Sequence, residues 1–452
     1  MVNLGFAYVA SALRAAGHEV RVAVPGKEPF AELAAAVRGA QPDLVGFSGS
    51  TSRIMVAAKL AGLVKQLAPG VKIVIGGFHA SGAPEQTLNE LPMFDFAVFG
   101  EGEQTAVELA AALAEGRSPA GIDGLAWREN GKARRGGERI LGDVDALVPP
   151  AIELFAIEKT GSLYRKTPGR PDLPVLTSRG CPNSCTICTP VSGRRVRFRD
   201  PARVAAEIDE NASRFGCGSV CFYDAYINIS AEHLRGVCEQ IIARDLHRRL
   251  WWYCFGRISD FSLETARLMA RAGCRVIAFG MESGDQEILD RNNRRATLQQ
   301  GIDAVRFCRQ AGIETDMGFI IGMPYETRET VKRTIRFALR ADPDYISANN
   351  LVPYPETQLM EMARRGEANL RLIDDRWEAF EKQAGSPLAL ADASPLWLLA
   401  ARLWLYARFY FRPRKIGRLW GVVSPRGLMV AVFSAVTSVA KKVFRLSSGK
   451  LA

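Results

Sequence analysis

The sequence lacks several things that would assign it to familiar classes. No stretch offers about 20 uninterrupted apolar residues, so no spanning helix is expected. Met1 is followed by Val-Asn-Leu-Gly, with no basic segment, apolar run and small-residue cleavage site behind it. That argues against secretion and for the cytoplasm. Histidine occurs only at positions 18, 79, 233 and 247. Residues 396–452 hold no Asp or Glu but eleven Lys and Arg. The formal net charge is +11, so the excess lies entirely in that tail and the body is balanced. A neutral body with a basic tail does not describe a general nucleic-acid binder. With 48% apolar and 24% charged residues, disorder, collagen and a polytopic membrane protein are excluded as well.

Cysteine is present in an odd number, nine, in a long chain, which disfavours a disulfide framework. Cys217, Cys221, Cys238, Cys254, Cys274 and Cys308 are scattered through apolar or mixed stretches and read as small buried hydrophobes. The other three, Cys181, Cys185 and Cys188, fall within eight residues.

Along the chain, short apolar runs alternate with helical patterns. Runs at 19–24, 44–47, 72–75 and 96–99 read as strands, and 5–16, 30–39, 52–67 and 103–115 as helices. This predicts βαβ units with a parallel sheet, whose ligands sit off the carboxyl ends of the strands. Gly- and Ser-rich loops lie there: Gly46–Thr51, Gly76-Gly77-Phe78-His79 and Gly100–Glu103. Trp127–Lys132 reads as a hairpin with an Asn130-Gly131 turn. A second βα series follows, with strands at 175–178, 220–223, 251–255, 276–279, 315–321 and 345–349. Six βα units fit a partial or full barrel working at its carboxyl face.

The loop Ser178-Arg-Gly-Cys181-Pro-Asn-Ser-Cys185-Thr-Ile-Cys188 follows the first strand of that series. Three thiolates in one loop can hold a metal. A structural zinc site normally closes with four ligands, and the nearest histidine, His233, is far away in sequence. A 4Fe–4S cluster needs four iron ligands, so three from the protein leave one iron open. Zinc and an incidental Cys-rich loop are the competing readings.

At these residues the chain resembles the radical SAM superfamily, whose C-x3-C-x2-C motif follows the first strand of a partial (β/α) barrel, with an apolar residue before the last Cys (here Ile187). The resemblance implies that S-adenosylmethionine chelates the open iron. One electron then cleaves its S–C5′ bond, and a 5′-deoxyadenosyl radical abstracts hydrogen. It further implies that Glu282 and Ser283 at the fourth strand's end, and Arg257 at the third's, contact the nucleoside or methionine part. Gly318 and Gly322 would border the adenine. Glu282 and Arg257 as ion-pair residues, and the glycines as packing positions, are the alternatives. The acid after the second glycine comes one residue late, at Glu326, and Asp224 stands where the family often has paired Asp.

The N-terminal loops, in their order before the Cys motif, resemble the cobalamin-binding domain that precedes many radical SAM barrels. The resemblance places Ser48, Thr51, Gly76, Gly77, His79, Gly100 and Glu101 at the corrin. There is no D-x-H-x-x-G, so His79 would flank the corrin or cap its loop rather than ligate cobalt. The strand that the family usually places before Leu4 is not supplied. The expected architecture is α/β: a Rossmann-like cobalamin-binding domain at 1–130, a connector at 131–172, a radical SAM (β/α)6 partial barrel at 173–385 and a basic, aromatic-rich helical region at 386–452. The implied activity is cobalamin-dependent methylation of a poorly activated carbon of a natural product or lipid-like molecule, with electrons from flavodoxin or ferredoxin. Alternatives are oxidative cyclisation or rearrangement with the same cofactors, and a non-catalytic cobalamin or Fe–S sensor. In the tail, 396–411 is too short to span a bilayer and 427–446 has the pattern of a basic amphipathic helix. Peripheral membrane contact and packing on the barrel are the two expectations for it.

Overall fold

The computed structural model describes residues 2–24, 26–159, 164, 167, 169–188, 191–355, 357–380 and 386–415. They separate into two compact units, one within 1–161, 170–250 and 354–360, the other within 162–169, 251–353 and 361–452.

The first unit opens with α1 (Leu4–Ala15), capped by the Asn3 side chain accepting from Phe6 N–H, and α2 (Pro29–Ala40). Then come β1 (Leu44–Ser48), α3 (Ile54–Leu67), β2 (Lys72–Gly76), α4 (Phe78–Gly82), α5 (Pro84–Glu90), β3 (Phe96–Val98) and α6 (Glu103–Ala114). β1, β2 and β3 are parallel in that order. The hairpin β4 (Leu125–Glu129) and β5 (Lys132–Arg135) adds antiparallel to β3. Its turn residues Asn130 and Gly131 have φ of 50° and 78°, the left-handed pair a two-residue hairpin needs. The sheet therefore continues to Arg135, beyond the expected boundary at 130. Ile73, Ile75, Phe94, Leu109 and Leu125 fill its core.

The run at 19–24, expected as a strand, joins no ladder among the described residues. Val24 is 62% exposed. Its apolar alternation is real, but a strand is held by paired backbone groups and a buried face, and this run has neither.

The first unit also contains β6 (Asp172–Val175), β7 (Ser178–Arg179), β8 (Arg197–Phe198), α7 (Pro201–Phe215), β9 (Ser219–Phe222), α8 (Ala231–Ala243) and α9 (Leu246–Arg249). β6 and β9 are parallel. The single strand expected at 175–178 is broken because Thr177 N–H leaves the ladder and donates to the Asp224 carboxylate at 3.2 Å.

The second unit contains β10 (Trp251–Gly256), α10 (Leu263–Arg271), β11 (Cys274–Glu282), α11 (Gln286–Arg291), α12 (Leu298–Ala311), β12 (Glu314–Ile321), α13 (Arg328–Ala341) and β13 (Tyr345–Asn350). The four strands are parallel neighbours in chain order. Thr297 and Thr327 start α12 and α13 with capping boxes. On β12, Thr315, Met317, Phe319 and Ile321 are buried, and Phe319 meets Phe337 of α13. The alternate residues Glu314, Asp316, Gly318 and Ile320 face the other side, in register with Tyr345, Ser347 and Asn349 of β13.

Farther along the chain come α14 (Gln358–Arg365) and α15 (Pro395–Tyr410). α15 settles the first tail segment: it packs on β13. Tyr410 Oη accepts from Ile346 N–H at 3.1 Å and donates to Ile346 O at 3.2 Å. Tyr406, one turn earlier, does the same with Ala348 at 2.8 and 3.2 Å. Two hydroxyls thus satisfy backbone groups of β13 that no neighbouring strand of this unit pairs. Arg412 and Lys415 pair with Asp342. The expectation for 427–446 lies outside the described residues. Among the described residues no helix is long and apolar enough to cross a membrane.

Candidate active site

In the first unit the cysteine loop is an excursion between the short antiparallel strands β7 and β8, where Ser178 faces Phe198 and Arg179 faces Arg197. The loop leaves β7 at Gly180, whose φ is +95° and whose added Cβ would strike Arg195 O. Only glycine fits there. Cys181 N–H closes the excursion by donating to Gly193 O at 3.1 Å, and Cys188 N–H donates to Cys185 O at 3.1 Å. Cys185 is buried, Cys181 partly buried and Cys188 exposed. Ile187, which precedes Cys188 in sequence, is partly buried. Asn183 Nδ2 lies 3.6 Å from Cys181 Sγ and donates to Tyr226 Oη at 2.9 Å.

None of the nine cysteines is in a disulfide. Among the described residues no three His, Cys, Asp or Glu are drawn together as ligands of one ion. Three thiols leave one iron of a four-iron cluster open, whereas a structural zinc site closes with four protein ligands, so the donor set suits the cluster better. Asp224, after β9, braces the approach to the loop. It accepts from Thr177 Oγ1 at 2.8 Å and Ser178 Oγ at 2.5 Å, and burial pushes its carboxyl above the ordinary range despite these bonds.

The loops after β1, β2 and β3 converge within the same unit. Gly49 N–H donates to Gly76 O at 3.0 Å, and His79 N–H to Gly49 O at 3.1 Å. Gly77 has φ +91°, and a Cβ there would lie 2.7 Å from Ser48 Oγ. Gly100, φ +70°, donates to Ser81 Oγ at 3.1 Å. In the surface these loops form, the Cβ directions of Gly77 and Gly100 meet Ser48, Gly49 and Arg139, so glycine there lets the loops pack closely on one another. Thr51 and His79 are each 1% exposed and meet at 3.3 Å. Burial lowers the His79 pKa to about 4, which keeps the ring neutral. They lock the loop from inside, while Phe78, which the sequence reading passed over, is 67% exposed at the head of α4.

Glu101 is not displayed on this surface. Its carboxylate accepts from Arg197 at 2.6 and 3.0 Å and from Leu141 N–H at 2.6 Å, with Arg179 at 3.4 Å. Arg179 also pairs with Glu103 at 2.6 Å and lies over the Tyr8 ring at 4.7 Å. Burial works against the Arg179 charge, but Glu103 and Glu101 outweigh it and raise its pKa. All four charged side chains are at most 10% exposed. Breaking one partner of such a network costs on the order of 3–5 kcal/mol, because a buried charge is left uncompensated.

In the second unit the expected nucleoside residues lie at and beyond the carboxyl ends of the strands. Glu282 ends β11 at a register shift, with φ +69°, a strained backbone for a non-glycine residue. Its carboxylate is 3.5 Å from Arg294, which also donates to Gly280 O. Arg257, buried beyond β10, donates to Ser259 Oγ at 2.9 Å and to Arg294 O. Arg294 therefore joins Arg257 to Glu282. Its place in a run of polar residues after α11 offered no signal. Ser283 is fully buried and bonds Thr334 Oγ1 at 3.2 Å, away from the strand ends. Gly280, Gly318 and Ser347 are in register across three strands. The last glycine, Gly322, has φ +93°, and Glu326 accepts from Gly322 N–H at 2.8 Å and Met323 N–H at 3.0 Å. Glu326 is fully buried and its pKa is pushed up to about 8. Toward the amino ends of the strands, Tyr164 Oη donates to Asp316 at 3.1 Å and packs edge-on against Tyr253.

A B12 binding domain model matches residues 1–110, and a radical SAM superfamily model matches 175–338. An uncharacterized methyltransferase of Pyrococcus horikoshii is 34% identical, covering 83% of this chain and 81% of that protein. An anaerobic magnesium-protoporphyrin IX monomethyl ester cyclase of Cereibacter sphaeroides is 30% identical, covering 90% of this chain and 66% of that one. The fold also matches TsrM of Kitasatospora setae, a radical S-adenosylmethionine methyltransferase solved with cobalamin and a [4Fe-4S] cluster, with a TM-score of 0.69 at 22% identity, covering 91% of this chain and 79% of that one. The chain belongs to the radical SAM family that carries a cobalamin-binding domain. It is a radical SAM enzyme whose cofactors are a 4Fe–4S cluster, S-adenosylmethionine and cobalamin.

Proposed function

We propose that the protein transfers a methyl group to a poorly activated carbon of a natural-product or lipid-like molecule. The observation that carries this reading is the three-thiol loop in one compact unit with a glycine-lined cobalamin-binding fold. The methyltransferase relative at 34% identity supports it. When bound, the cofactors supply a carbon-centred radical and a transferable methyl group. Cys181, Cys185 and Cys188 hold the cluster, with Ile187 packing beside it. Ser48, Gly76, Gly77 and Gly100 line the corrin with Phe78, while Thr51 and His79 keep that loop rigid. Arg257 and Glu282, joined through Arg294, position S-adenosylmethionine against Gly318 and Gly322. The cobalamin domain occupies about 1–135 and the barrel about 173–385. The reductant is a flavodoxin or ferredoxin.

Anaerobically reconstituted protein with S-adenosylmethionine and reductant is expected to form 5′-deoxyadenosine, and Cys181→Ala to abolish it. With substrate, S-adenosylhomocysteine is expected in step with methylated product. The 30% identity to a cyclase favours one second reading, oxidative cyclisation. Turnover that yields 5′-deoxyadenosine and product but no S-adenosylhomocysteine would establish it instead.

A further inference from the structure

The Gly100–Glu103 loop was expected at the corrin, yet both of its carboxylates turn to the two arginines that open and close the cysteine excursion. Arg179 is two residues before Cys181, and Arg197 is its partner across the β7–β8 pair. Arg197 also donates to Leu141 O and, at 2.8 Å, to Ser192 O inside the excursion. Glu103 stands in the first turn of α6, and Tyr8 of α1 supports Arg179 from below. The same stretch therefore sits beside the corrin-side glycines and anchors both ends of the cluster loop.

We propose that Glu101 and Glu103 are positioning residues that hold the cysteine loop in register with the corrin-side loops, so that radical formation stays coupled to methyl transfer. The proposal rests on the function inferred above. Two short strands cannot orient a 17-residue excursion (180–196) through backbone bonds alone. The bidentate Arg197–Glu101 pair fixes angle as well as distance, which a hydrophobic contact would not. Their burial excludes water and stiffens the link.

The test uses cofactor-loaded protein and the variants Glu101→Gln, Glu103→Gln, Arg197→Lys, Arg197→Gln and the double variant Glu101→Gln/Arg197→Gln. Hydrogen–deuterium exchange is followed over residues 180–196, and the ratio of 5′-deoxyadenosine to methylated product is measured. With iron and cobalamin contents retained, Glu101→Gln is expected to speed exchange across 180–196 by about tenfold and raise that ratio by a similar factor. Arg197→Lys, which keeps the charge but loses the fork, falls between. The double variant costs less than the sum of its parts, as coupled partners require. Unchanged exchange at 180–196 together with an unchanged ratio would overturn the proposal, as would additive single effects. If Glu101→Gln does not fold, the milder Arg197→Lys decides by the same two readouts. Failure of the wild type to methylate would remove the functional reading alone, because exchange still reports whether the network holds the loop.

Discussion

Glu326 shows how a residue's place can invert its sequence reading. By sequence it is a displaced acid of an S-adenosylmethionine segment. In the fold it is a buried brace that accepts two backbone N–H groups at Gly322 and Met323. Burial raises its pKa from the ordinary 4.5 to about 8. The folded protein thus keeps a proton that the unfolded chain releases, and this group's contribution to stability falls as pH rises from about 4.5 to about 8. Glu326→Gln keeps an acceptor for both amides without the charge. The variant's melting temperature is expected to match the wild type near the lower end of that window and to exceed it increasingly toward the upper end, then level off. Thermal unfolding across the series measures this. A constant offset at all pH values would contradict it.

Elements were legible wherever periodicity and caps agreed. α7 starts at Asp200-Pro201 and ends at Gly216 in the left-handed region, the Asp-Pro start and glycine stop that favour helix ends. The run at 19–24 has the right alternation but no partner strand among the described residues, and pairing is not written in a segment's own residues. The cysteine excursion was recognisable from spacing, whereas its closure depends on Gly180, an unremarked glycine. Gly180→Ala is expected to cost about 1–3 kcal/mol of stability, since φ is +95° and Arg195 O blocks the Cβ. It should also lower bound iron per chain, measured after anaerobic reconstitution. Gly62→Ala in α3, where a Cβ meets nothing within 4 Å, is the control and should leave iron binding intact.

On the scale of the whole molecule, the basic tail divides into two parts. One face of α15 is spent on β13, but Leu396, Leu403, Trp404 and Phe411 are 49%, 43%, 55% and 75% exposed along its outer side. Arg408 stacks on Trp404 at 5.6 Å. We propose that this exposed apolar stripe, with arginines and no acids in the helix, meets an anionic membrane surface. Anionic vesicles are therefore expected to sediment the full-length protein at low salt and release it at high salt. The variant Leu403→Ser/Trp404→Ser/Phe411→Ser, which keeps every charge of the tail, should sediment less. Equal sedimentation of the two would assign the exposed side of α15 to another role.

The residues alone established the order of the cofactor domains, the close spacing of Cys181, Cys185 and Cys188 and most strands and helices, because spacing and periodicity are properties of consecutive residues. Which face Glu101 turns to, how Arg294 links Arg257 to Glu282, and why Tyr406 and Tyr410 lie on β13 depended on tertiary contacts. Each pairs groups separated by tens of residues or more, or turns on whether a charge is buried, and neither distance nor dielectric is encoded locally. The same holds for the net charge of +11: its position was readable from the sequence, but that α15 docks by hydroxyls and leaves its apolar side outward became visible only with the chain folded.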